Sequence, residues 1–97
     1  MSENLPTRQK PSQKQLALIY DTMQDIRTAL RRGRQGDYSP YEGVANAVAA
    51  AHKLSDLITN LALPDDLVSD CNRMIQVMST RSSDELTLQL VEDGIDV

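Results

Sequence analysis

The sequence contains no phenylalanine and no tryptophan, and its aromatic residues are three tyrosines. A core without large rings must be assembled from Leu, Ile, Val, Met and Ala, side chains that suit helix packed on helix. A single cysteine, Cys71, excludes an intrachain disulfide and fits a reducing compartment. It reads as a small buried apolar residue, because the only basic residue near it in sequence is Arg73. The one histidine, His52, follows an alanine run, and no Cys/His set has metal-ligand spacing. The four glycines, Gly33, Gly36, Gly43 and Gly94, form no phosphate-binding loop after a strand. No window approaches the roughly 20 apolar residues needed to cross a bilayer. The polar stretch from Met1 to Ser12 lacks the apolar centre of a signal peptide. These absences point to a cytoplasmic protein, or one working inside a host cell, with no membrane association.

What is present is a globular composition. Hydrophobic residues make up 40% of the 97 positions and charged residues 25%, which suits one folded domain rather than a disordered chain. The net charge of −4 hides a division. Residues 1–36 carry seven basic and three acidic side chains, a net of +4, whereas residues 37–97 carry three basic and eleven acidic ones, a net of −8. Opposite faces of such a molecule attract different partners.

Residues 1–11 contain Pro6 and Pro11 and show no periodicity, so they are expected to form a flexible arm. A domain of residues 12–92 follows, with residues 93–97 fraying. Ser12 and Gln15 have the spacing of a capping box. Leu16, Ile19, Met23, Ile26 and Leu30 then recur at three and four, placing apolar side chains on one face of a first helix. Gly33 or Gly36 can end it. A second helix opens with Ser39-Pro40-Tyr41-Glu42, in which Ser39 caps and Pro40 needs no N–H partner in the first turn. Its seam is Val44, Ala47, Ala51, Leu54, Ile58 and Leu61, expected to continue to Leu63. Pro64-Asp65-Asp66 starts a third helix whose stripe is Leu67, Cys71, Met74 and Met78, widened by Val68 and Ile75.

The segment after Ser79 reads two ways. Ser82-Ser83-Asp84-Glu85 resembles a capping box, whereas Leu86, Leu88 and Leu90 alternate as in a strand; a lone strand lacks a partner within the chain, so a short helix is expected. The fold class is all-α: a helical hairpin plus a third helix, with a short C-terminal element. There is no internal repeat. Because Val48, Leu57 and Ala62 lie off the second helix's seam, that helix has apolar surface for more than one neighbour. On this ground the seam from Val44 to Leu61 is read as an oligomer interface, most simply a twofold dimer.

Three adjacent acid pairs, Asp65/Asp66, Asp84/Glu85 and Glu92/Asp93, sit where capping and solvation account for them. Asp66 and Asp70 share a face without a nearby histidine. No catalytic dyad, metal or cofactor is expected. The most pointed feature is basic: Arg27, Arg31, Arg32 and Arg34, followed by Tyr38 and Tyr41 around the first helix–helix turn. Arginine and tyrosine are frequent interface anchors, so these six are the candidate partner-binding residues. The expectation is a small non-enzymatic module, a regulator, inhibitor or assembly adaptor, that masks a partner protein's surface. The alternatives are a nucleic-acid accessory factor using the basic arm and first helix, and an oligomer that sequesters a small anionic ligand.

Overall fold

In the computed structural model, which describes residues 9–36 and 39–92, four helices follow one another: α1 (Gln13–Gln35), α2 (Pro40–Ile58), α3 (Asp65–Ser79) and α4 (Ser83–Glu92). The described residues contain no strand, only an isolated parallel bridge between Gln9 and Leu61. The protein is a small all-α bundle.

Local chemistry sets the helix ends. Ser12 caps α1 by accepting from the Gln15 N–H at 3.1 Å, and the Gln15 side chain accepts from the Ser12 N–H at 2.8 Å, so the expected box closes both ways. At the other end Gly36, at φ 91°, turns the chain left-handed and donates its N–H to the Arg32 carbonyl. Of the two glycines that could end α1, Gly36 is therefore the cap and Gly33 stays inside the helix. Ser39 caps α2 by accepting from the Glu42 N–H at 3.2 Å; its hydroxyl faces the Glu42 carboxylate at 3.4 Å. α2 ends at Ile58, short of the expected Leu63, because Asn60 adopts φ 67° and turns the chain. Pro64 occupies the N-cap of α3, one position before the helix, and Asp65 and Asp66 fill the first turn.

Residues 82–92 resolve in favour of the helix. Ser82 accepts from the Glu85 N–H at 3.2 Å, and Leu86 and Leu90, one turn apart, are fully buried. Leu88, the middle member of the apparent alternation, is left 58% exposed. The period of four prevails because only two of the three leucines find a core to enter.

α2 is the central element. α1 packs along it as the other arm of the hairpin, α3 packs against it, and α4 touches both α2 and α1. Cys71 of α3 also reaches α1, with its Sγ 3.8 Å from Met23 Sδ. The core is the expected aliphatic set: Ile19, Met23, Ile26 and Leu30 from α1, Val44, Ala47, Ala51 and Leu54 from α2, Leu67, Cys71, Met74 and Met78 from α3, with Leu86 and Leu90 from α4. Near the turn the two arms come into backbone contact. A Cβ on Gly43 would lie 2.8 Å from both the Ala29 carbonyl oxygen and Gly33 Cα. A Cβ on Gly33 would lie 3.0 Å from Leu90 Cδ2, so two glycines permit both the tight crossing and the seating of α4.

At the far end, the arm is tied down sooner than its sequence suggests. The Gln9 N–H donates to the Asn60 carbonyl at 2.9 Å, and the Ala62 N–H donates to the Gln9 carbonyl at 2.7 Å. Residues 1–8 and 93–97 lie outside the described residues, so the expected arm is described only from Gln9 and the segment expected to fray not at all.

Candidate functional site

The residues read as an oligomer interface are the chain's own core. Val44, Ala47 and Leu54 are fully buried within one chain, Ala51 and Leu61 nearly so, and Ile58 is half-buried. Leu61 contributes from the link after α2 rather than from the helix. The off-seam Val48 and Leu57, which suggested extra neighbours, pack half-buried against the same core, and Ala62 is exposed. The extra neighbours of α2 are α3 and α4. A twofold contact through this seam would require the bundle to open, since its side chains already fill the interior.

The arginines, expected as one cluster, divide between two edges of α1. At about 100° per residue, Arg27, Arg31 and Arg34 fall within an arc of about 60° and form one row. All three are exposed, and among the described residues none makes an ion pair or a side-chain hydrogen bond. Arg32 projects about 100° away from Arg31. It lines a trough of about 410 Å³ between α1 and α2 together with Asp25 and Thr28 of α1 and Asn46 and Lys53 of α2, over a floor of Ala29, Ala49 and Ala50. The trough thus mixes two cations with a carboxylate, whereas the row carries one sign only. Tyr41 is 58% exposed on the first turn of α2. Tyr38 lies outside the described residues.

Two contributors escaped the sequence reading. Tyr20 is 57% exposed and shares the arc of the arginine row, two turns before Arg27; its spacing of seven residues from Arg27 was the available signal. Lys53 comes to the trough from α2, and no spacing within one helix reveals a neighbour on another.

The acidic face of α3 is solvated. Asp70 pairs with Arg73 at 3.7 Å, one turn on, and both side chains are largely exposed. Burial pushes the Cys71 thiol above its ordinary pKa, and the neighbouring Asp70 carboxylate raises it further, so the thiol is held protonated. His52 is exposed on α2. Among the described residues no three of His, Cys, Asp and Glu converge in a metal-binding group. Among the described residues no helix is long and apolar enough to cross a membrane. No family model matches the sequence, and neither the curated proteins nor the solved structures contain a significant match.

Proposed function

We propose that this protein is a small non-enzymatic interaction module that works in the cytoplasm by binding a partner protein, masking part of the partner's surface with the outer face of α1. The observation that carries this reading is the row Arg27, Arg31, Arg34. Its arginines are exposed, take no part in the core and find no acidic partner within the described residues. Like charges four and three apart on one helix destabilise it by about 0.2–0.5 kcal/mol per pair. Acids placed among them would have stabilised α1, yet Asp25 lies at the trough instead. An uncompensated row of this kind is accounted for by a partner that supplies the missing charge. Tyr20 beside it adds an aromatic surface of the sort that anchors protein interfaces.

The test is affinity capture from the cell that makes the protein, with wild type compared against the triple variant Arg27→Glu, Arg31→Glu, Arg34→Glu. The variant is expected to keep its helical circular dichroism and to lose the partner that wild type retains. Capture of the same partner by both proteins removes the α1 row from the interaction.

A further inference from the structure

The α1 row also constrains the chemistry of what it binds, an inference that rests on the reading above. Arg27 to Arg34 spans about 10.5 Å along the helix at 1.5 Å per residue. Within α1, no acidic residue stands three or four positions from any of the three arginines. Beyond Arg27 the same face continues as Gln24 and Tyr20, with no further cation. The row is therefore short, of one sign, and continued by a polar amide and an aromatic ring.

These features separate two classes of polyanion. A nucleic-acid duplex carries charge without interruption past both ends of such a row. Its phosphates would run from three arginines onto Gln24 and Tyr20, on a molecule in which residues 37–97 carry a net −8. A protein helix can match the row and stop. Carboxylates at the same spacing of four and three share the row's rise, so each guanidinium meets one carboxylate in a charge-assisted pair. An apolar residue two turns further along meets the Tyr20 ring. We infer that the α1 face receives an acidic α-helix of a partner protein, with Arg27, Arg31 and Arg34 each taking one carboxylate and Tyr20 packing beyond them.

The experiment measures fluorescence anisotropy of labelled probes titrated with the full chain at physiological salt. One probe is a helical peptide of roughly 20 residues with glutamates at the four-and-three spacing on one face and a leucine two turns away. The second has the same composition with its glutamates spread around the helix, and the third is a DNA duplex of similar length. The one-face peptide is expected to bind at least about tenfold more tightly than the spread one. The triple charge reversal is expected to abolish that preference, and Tyr20→Ala to weaken the one-face peptide alone. Equal binding of the two peptides, or binding of neither, overturns the inference. So does a duplex that binds more tightly than either peptide with a salt dependence of about three released counterions, which would assign the row to nucleic acid. The two readings fail separately. Partner capture that ignores the charge reversal sinks the interaction reading itself, whereas capture that depends on the row while the peptides bind alike sinks only the acidic helix.

Discussion

α1 and α2 carry apolar side chains at the same alternation of three and four, and the fold surrounds them differently. α2 lies among α1, α3 and α4, and its seam from Val44 to Leu54 is buried. α1 is packed on the side of Ile19, Met23, Ile26 and Leu30, and on another side it holds Tyr20, Arg27, Arg31 and Arg34 out to solvent. A heptad-like seam states that a helix has a neighbour and is silent on whether that neighbour belongs to the same chain. The information that separates the two helices lies off the seam. α2 has alanines and half-buried Val48 and Leu57 around most of its circumference, as a helix with three neighbours requires, whereas α1 has charge.

The largest effect that tests this contrast is Leu54→Asp. Leu54 is fully buried inside one chain, so a carboxylate there loses its water without gaining a partner and costs several kcal/mol, on the order of the whole stability of a small domain. Loss of the helical circular dichroism at room temperature is the expected result. A folded monomer from this variant would show that the seam serves a second copy. Leu88→Asp, on a position 58% exposed, should leave the thermal midpoint within a few degrees of wild type.

How much of this was legible in the residues depends on the range of each interaction. Capping is local: Ser12 with Gln15 and Ser39 with Pro40 and Glu42 announced two helix starts because all the partners lie within one turn. The stripe of α3 was legible for the same reason, its four members being the four residues buried. The end of α2 was not, since it turns on Asn60 taking a left-handed conformation beside a backbone pairing with Gln9, a contact some fifty residues distant. Gly33 suited a helix end by composition, and its actual role depends on Gly43 and Leu90, which only the packed fold brings near. The candidate site follows the same rule. Three of the four arginines share a face by spacing alone, while the placing of Arg32 and Lys53 in one trough needed the α1–α2 register.

A middle-sized effect is expected where the two arms touch. Alanine at position 43 would place its Cβ 2.8 Å from backbone atoms of Ala29 and Gly33, and backbone cannot swing aside as a side chain can. The arms would have to separate, at about 1–3 kcal/mol, offset by the roughly 1 kcal/mol that alanine gains over glycine as a helix former. Urea denaturation should therefore show a net loss of up to about 2 kcal/mol for Gly43→Ala. A stabilised variant would mean that the arms are not held at this distance, and α4, seated by Leu90 over Gly33, would then be less fixed than the bundle requires.

The smallest effect belongs to the solvent-facing row, and its sign can be argued. Arg31 stands four residues after Arg27 and three before Arg34, so Arg31→Glu removes two repulsive neighbours and creates two attractive ones. Against this, position 31 is close to the C-terminal turn of α1, where the helix dipole favours a cation by about 0.3–1 kcal/mol. The two contributions are of similar size and opposite sign. The variant should unfold within about 0.5 kcal/mol of wild type at low salt, and the difference should shrink as salt screens both contributions. Thermal denaturation at two ionic strengths measures it. A loss of several kcal/mol would mean that Arg31 makes a contact the fold depends on, and the contrast between an enclosed α2 and an open face on α1 would fail at its most exposed point.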